Sequence, residues 1–101
     1  YYHGMMFGLL AMKYGDTISN GESGQGLYDI VVRDSENGRA AVLEFKRASS
    51  VEQMDKGVRH ALEQIKRNDY DVRLRAKGCK TILHVGIAFC QKSARVGFEV
   101  A

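Results

Sequence analysis

The chain has 101 residues, of which 45% are hydrophobic and 27% are charged, a composition typical of a folded globular domain. Disordered and collagen-like classes are therefore excluded. The longest uncharged apolar stretch, residues 5–12, is far shorter than the roughly 20 residues that cross a bilayer, so we expect no membrane span. The net charge of +3 is compatible with a polyanionic partner, but it is also common in proteins that bind none.

No repeat, low-complexity tract or linker divides the sequence, so we expect residues 1–101 to form a single domain. The chain begins Tyr-Tyr-His and lacks an initial methionine, which indicates a fragment of a longer protein. Two cysteines, Cys79 and Cys90, lack His or Cys partners at the spacing of a metal site. This pattern favours reduced thiols in a cytoplasmic protein over a zinc site.

Hydrophobic periodicity predicts the elements of the first half of the chain. They are, in chain order, a helix (2–13), a short strand (16–20), a glycine-rich turn (21–26) and two strands (27–33 and 39–47). The sequence Asn37-Gly38 lies between the last two strands and is the strongest short-range signal for a β-hairpin.

The second half of the chain continues with a helix and two strands. Ser49 and Ser50 are potential N-caps, and Glu52 and Gln53 stand in the capping-box position behind them. The helix that follows is amphipathic and ends somewhere between residues 67 and 78, although Gly57 costs it up to about 1 kcal/mol against alanine. Apolar runs then predict strands over 81–89 and 95–100. The element order indicates an α/β fold with a mixed sheet.

The hairpin brings three charged residues together whichever even-length loop it has. A two-residue loop places Asp29 opposite Lys46, and a four-residue loop places Asp29 opposite Glu44. Because side chains alternate between the faces of a strand, both registers put all three residues on one face. Only an odd-length loop or a bulge would separate them.

Two opposed carboxylates need a physical explanation. Their Cβ atoms would lie about 4.5–5.5 Å apart, and at an effective dielectric near 20 the charges would repel by roughly 3 kcal/mol. A divalent cation between Asp29 and Glu44 makes the interaction attractive, and magnesium commonly binds one or two carboxylates together with water and phosphate oxygens. With Lys46 beside them, the groups suit metal-assisted phosphodiester hydrolysis. The alternative is an Asp29–Lys46 ion pair on a solvated face, with Glu44 exposed next to it.

Asp29 followed by Glu44-Phe45-Lys46 resembles the signature of the PD-(D/E)XK nuclease superfamily. More narrowly, ordered blocks along nearly the whole chain are similar to the C-terminal nuclease domain that follows an AAA-ATPase-like domain in many bacterial proteins. These blocks are Tyr2-His3-Gly4, Ser19-Asn20, Glu22-Ser23-Gly24 with Gly26, Tyr28-Asp29-Ile30, Glu44-Phe45-Lys46, Ala61-Leu62-Glu63-Gln64-Ile65 and Gly86-Ile87-Ala88-Phe89.

The resemblance implies a restriction-endonuclease-like αβββαβ core and cleavage of nucleic acid, DNA rather than RNA. It implies that Asp29, Glu44 and the backbone carbonyl of Phe45 bind Mg²⁺ or Mn²⁺. Lys46 would be the catalytic base or position the attacking water, and Gln64 would face the site from the second helix. An ATPase-like domain upstream in the same chain is the implied partner. The alternative is a catalytically degenerate module that binds nucleic acid or packs on such a domain.

The sequence departs from the family pattern at two places. Many members carry an acidic residue on the first helix, whereas residues 2–13 contain none. Glu22 or His3 could substitute, and Glu22 is the better metal ligand because magnesium prefers oxygen. Leu27 stands where similar proteins often carry arginine, so we expect a weakened contact with substrate or with a carboxylate there.

Basic residues also cluster after the second helix. They could form a phosphate-binding surface, although interspersed acidic residues favour an ordinary solvated face. The members of the cluster are Arg73, Arg75, Lys77 and Lys80. The neighbouring Tyr70 could stack on a base, but we expect it to anchor the core.

Overall fold

The computed structural model describes residues 16–21 and 28–101 of the chain. The described elements are β1 (Asp16–Gly21), β2 (Tyr28–Asp34), β3 (Arg39–Arg47), α1 (Met54–Arg67), α2 (Tyr70–Ala76), β4 (Thr81–Cys90) and β5 (Ser93–Val100). The helix predicted over residues 2–13 lies outside the described residues, as do His3, Glu22 and Leu27. None of the helices within residues 28–101 is long and apolar enough to cross a membrane.

The strands form one five-stranded sheet in the order β1-β2-β3-β4-β5. The central pair, β3 and β4, is parallel, and the other three pairs are antiparallel. A parallel pair needs a long crossover connection, and α1 and α2 provide it. The α/β class and the mixed sheet predicted from the sequence are confirmed.

The hairpin of β2 and β3 has a four-residue connection. Residues Ser35–Asn37 form a short 3₁₀ turn, which Gly38 closes by donating its N–H to the carbonyl of Ser35 at 3.3 Å. The resulting register makes Asp29 the direct partner of Glu44. Of the two registers that the sequence left open, the four-residue alternative is therefore the one present.

The predicted capping box at the start of the second helix is wrong. The side chain of Ser50 caps no backbone N–H; instead its carbonyl accepts a bond from the N–H of Gln53 at 3.1 Å. This backbone bond closes a 3₁₀ turn over Val51–Gln53, so α1 begins only at Met54. The helical region is also divided into two helices, because Asp69 adopts a left-handed conformation with φ of 55°.

Helices α1 and α2 cover one face of the sheet. The buried side chains of α1 are Met54, Val58, Ala61 and Ile65, and those of α2 are Tyr70 and Leu74. They pack on Val31, Ala40, Val42, Cys79, Ile82, Ala88 and Cys90. Tyr70 is thus a core anchor, as expected, and both cysteines are buried and not disulfide-bonded.

Gly86 allows α1 to lie close to this face of the sheet. A Cβ atom at Gly86 would lie 2.8 Å from the backbone oxygen of Val58 and 3.1 Å from the Cβ of Ala61. Any larger residue would therefore push the helix away. The close approach matters for function because Gly86 is the neighbour of Glu44 on the adjacent strand.

Candidate active site

Glu44 lies in the middle of the sheet, in a row of residues from three strands. Its Cα partners are Asp29 on β2 and Gly86 on β4. Directly opposed residues of an antiparallel pair share a face of the sheet. The backbone register therefore makes positions 29 and 44 direct neighbours on the face that α1 covers, and α1 lies directly over Gly86.

The carboxylate of Glu44 is deeply buried. The residue is only 2% exposed, which excludes the alternative in which Glu44 lies on a solvated face. Burial of an ionised carboxylate costs several kcal/mol unless charge or hydrogen bonds compensate. A divalent cation is a strong form of such compensation, and its preferred ligands are carboxylate oxygens.

Lys46 lies two residues along β3 and reaches the helix. Its Nζ donates a hydrogen bond to Oε1 of Gln64 on α1. This contact joins the strand that carries the Glu-x-Lys motif to the helix that carries the amide. The structure therefore brings Glu44, Lys46 and Gln64 into one neighbourhood.

The pKa of Lys46 is lower than the usual value of 10.5 for a lysine. Burial of the amine is the main cause, because it penalises the charged form, and the positive charge of Arg67 acts in the same direction. The negative charge of Glu44 opposes the shift. Lys46 is thus easier to deprotonate than an exposed lysine.

Gly57 has a role that helix propensity alone does not reveal. A Cβ atom at this position would lie 3.1 Å from the Cβ of Ala88 and 3.8 Å from the Cβ of Lys46. The first turns of α1 therefore rest directly on the sheet beside Lys46. Gly57 thus weakens the helix, but its lack of a side chain allows α1 to pack closely on the sheet beside Lys46.

Phe45 and Glu22 do not contribute described side chains to this neighbourhood. Phe45 points to the opposite face of the sheet, where it is 5% exposed and packs with Ile30, Leu43 and Ile87. Only its backbone is available to the site, which fits the carbonyl ligand that the resemblance implies. Glu22 lies outside the described residues.

Two further polar residues near the site were not singled out from the sequence. Arg67 ends α1 three residues after Gln64, a spacing that puts both on the same side of a helix. His84 is 1% exposed on the α1-covered face of β4, and its Nε2 lies 2.7 Å from Oδ1 of Asp71. That contact connects α2 with strand β4. In the sequence, the three-residue spacing between Gln64 and Arg67 could have indicated the first residue. A single histidine in an otherwise apolar strand could have indicated the second.

A metal at this site would need donors from both arms of the hairpin. Within the described residues, no three His, Cys, Asp or Glu side chains form a cluster that could bind a metal. Two carboxylates, from Asp29 and Glu44, together with backbone and water oxygens are nevertheless a common donor set for magnesium. The residue types and the register fit such a cation.

Comparison with known proteins identifies the family of the chain. The profile of the PD-(D/E)XK nuclease superfamily matches residues 1–99, nearly the whole chain. No curated protein and no solved structure shows a significant match. Because the match covers nearly the whole chain, the chain belongs to the PD-(D/E)XK nuclease superfamily.

Proposed function

We propose that the chain is a divalent-metal-dependent nuclease that hydrolyses phosphodiester bonds, in DNA rather than in RNA. The observation that carries the proposal is the buried carboxylate of Glu44, directly opposed to Asp29 in the sheet and two residues from a lysine of lowered pKa. Membership of a nuclease superfamily supports nucleic acid as the substrate.

Asp29 and Glu44 are the proposed ligands of Mg²⁺ or Mn²⁺, with the backbone carbonyl of Phe45 as a third. Glu22 is the candidate for the acidic ligand that the first helix lacks. When bound, such a cation lowers the pKa of water and neutralises the charge that develops on the phosphate. The protein contributes the buried position of Glu44, which limits competition from solvent.

Lys46 is the proposed base, or the group that positions the attacking water. A neutral amine is required to accept a proton, and the lowered pKa of Lys46 increases the neutral fraction near neutral pH. Gln64 accepts a hydrogen bond from the Lys46 amine and so fixes its direction. We therefore assign Gln64 the role of a positioning residue.

Arg67 is the proposed phosphate contact. It lies on the same side of α1 as Gln64, and its charge is close enough to lower the pKa of Lys46. A guanidinium suits a phosphate because it can donate two parallel hydrogen bonds. The basic residues of α2 could extend this contact, although Arg73 already lies over the ring of Tyr70 at 5.0 Å and Arg75 donates to the carbonyl of Lys80.

The location and the partner domain are also part of the proposal. Two buried cysteines without a disulfide fit a reducing compartment, and we propose the cytoplasm. An ATPase-like domain in the same polypeptide is the proposed partner, on the strength of the sequence blocks alone.

A nicking assay on supercoiled plasmid tests the proposed activity. We expect cleavage with Mg²⁺ or Mn²⁺, none with EDTA, and a loss of at least about 100-fold for Glu44→Gln and for Asp29→Asn. Glu36→Gln makes the same chemical change on an exposed turn and should cleave like the wild type. A parallel reaction on single-stranded RNA tests the substrate preference.

Two results would contradict this proposal. Cleavage that persists in Glu44→Gln would remove Glu44 from the mechanism. Metal binding without any cleavage of DNA or RNA would favour the degenerate module, which keeps the fold and lacks catalysis.

A further inference from the structure

Strand β5 leaves an apolar face open at the edge of the sheet. Among the described residues it pairs only with β4, on one side. On the face away from α1, Val96, Phe98 and Val100 are 57%, 70% and 69% exposed. An unprotected edge strand with apolar side chains is a template for pairing with another strand.

The other face of β5 carries two opposite charges. Arg95 and Glu99 lie on the α1 side, and their side chains are 46% and 38% exposed. Each contacts α1: Arg95 lies 2.6 Å from Asp55, and Glu99 lies 3.0 Å from Lys66. Gly97 stands midway between the two charged residues.

This arrangement makes β5 complementary to itself in one register. If a second copy of β5 pairs antiparallel to the first about an axis at Gly97, Arg95 lies opposite the partner's Glu99, and the same pair forms again on the other side of the axis. In the same register Val96 lies opposite the partner's Phe98 on the apolar face. Opposed pairs of both kinds stabilise a sheet.

Other registers lose this complementarity. An axis at Val96 or Phe98 leaves Arg95 and Glu99 opposite uncharged residues, and an axis at Arg95 or Glu99 opposes two identical charges. A one-residue slip would join the apolar face of one copy to the charged face of the other. The charge pattern therefore selects the axis at Gly97.

We propose that two copies of this chain associate through β5 in that register, which joins their sheets into one continuous sheet. Main-chain hydrogen bonds along the two edges supply the association, as in other cases of strand addition. The two ion pairs set the register, and the contacts of Val96 with Phe98 cover part of the exposed apolar face. This proposal is independent of the proposed catalysis, because β5 contributes no residue to the candidate active site.

Sedimentation velocity over a dilution series, using the full chain, tests the association. We expect the wild type to pass from monomer to dimer with increasing concentration. Arg95→Glu and Glu99→Arg each place like charges opposite one another twice, so each should weaken the dimer at least about tenfold. Circular dichroism shows whether each variant is folded.

An exchange of the two charges separates this interface from contacts within one copy. The background for this test carries Asp55→Asn and Lys66→Gln, which remove the contacts to α1 and should leave the dimer intact. In that background the double variant Arg95→Glu, Glu99→Arg restores opposite charges in the same register, so the dimer should return. A wild type that stays monomeric at every concentration would overturn the proposal. A double variant whose dimer is no more stable than the dimers of the single variants would also overturn it.

Discussion

Glu44 places a charged side chain in the interior of the sheet, and Asp29 is its direct cross-strand partner. On its own face of β3 the neighbours of Glu44 are Val42 and Lys46, and its burial carries a desolvation cost that a valine would not have. A second carboxylate at its direct cross-strand partner adds repulsion. The proposed cation would account for both residues, because the two like charges would become its ligands.

Lys46 allows the electrostatics of the site to be measured one charge at a time. In the metal-free protein we expect its pKa to lie below 10.5. Glu44→Gln should lower this pKa further, because it removes the nearby negative charge, whereas Arg67→Gln should raise it. Carbon-detected NMR of the lysine side chain in the presence of EDTA measures all three values. A pKa that shifts in the same direction in both variants would contradict the assigned neighbours.

The lowered pKa of Lys46 also makes the free energy of unfolding depend on pH. Because the folded state disfavours the charged form of Lys46, the unfolded chain binds more protons between the folded and unfolded pKa values. The contribution of Lys46 to the free energy of unfolding therefore rises as the pH increases through that interval. At neutral pH the half-buried, charged amine lowers stability, which is a cost typical of a functional group.

At the level of elements, the packing of α1 on β4 decides where the helix lies relative to the site. Gly86→Ala should reduce the free energy of unfolding by about 1–3 kcal/mol, because the new Cβ would lie 2.8 Å from the Val58 backbone oxygen. Gly57→Ala should cost less, since its nearest neighbour is the Ala88 side chain at 3.1 Å and alanine favours the helix by about 1 kcal/mol. Urea unfolding measures both, and a Gly86→Ala protein as stable as the wild type would contradict the close contact.

The hairpin turn depends on another carboxylate, that of the half-buried Asp34. Arg39 donates to Asp34 at 2.7 Å and Asn37 donates to it at 2.9 Å, and these bonds hold the pKa of Asp34 below 3.8. A depressed carboxylate pKa stabilises the fold above the unfolded value, and this contribution is lost as the pH falls through the folded pKa. Arg39→Gln should therefore raise the pKa of Asp34 toward 3.8 in an NMR titration. An unchanged pKa would show that the arginine contact is absent in solution.

The hairpin was also the element that the sequence predicted best. The alternation of side chains is independent of loop length as long as the length is even, so Asp29, Glu44 and Lys46 could be placed on one face before the register was known. The loop itself could not be chosen, because Asn37-Gly38 suits a two-residue turn. The 3₁₀ turn over Ser35–Asn37 lengthens the connection from two residues to four.

The helices were predicted less well, for local reasons. Ser50 has the sequence context of a capping residue, but a backbone bond closes the turn instead. The break between α1 and α2 depends on a left-handed aspartate at position 69, a conformation that non-glycine residues adopt only rarely. The contact between Lys46 and Gln64 could not be derived at all, because it depends on how α1 docks on the sheet.

For the whole molecule, the topology explains how residues distant in sequence reach one site. The β2–β3 hairpin brings together Asp29 and Glu44, and the crossover to β4 returns α1 over the same face. Gln64 thereby meets Lys46, which is 18 residues earlier in the chain. The centre of the opposite face is apolar and carries Ile30, Leu43, Phe45 and Ile87.

The proposed metal site is tested most sharply by a crystal structure of the full chain soaked with Mn²⁺, with the metal located by its anomalous signal. We expect a peak between Asp29 and Glu44, about 2.2 Å from a carboxylate oxygen of each, and no such peak in Glu44→Gln crystals. A wild-type structure with Mn²⁺ bound elsewhere, or with these two side chains on different faces of the sheet, would contradict it.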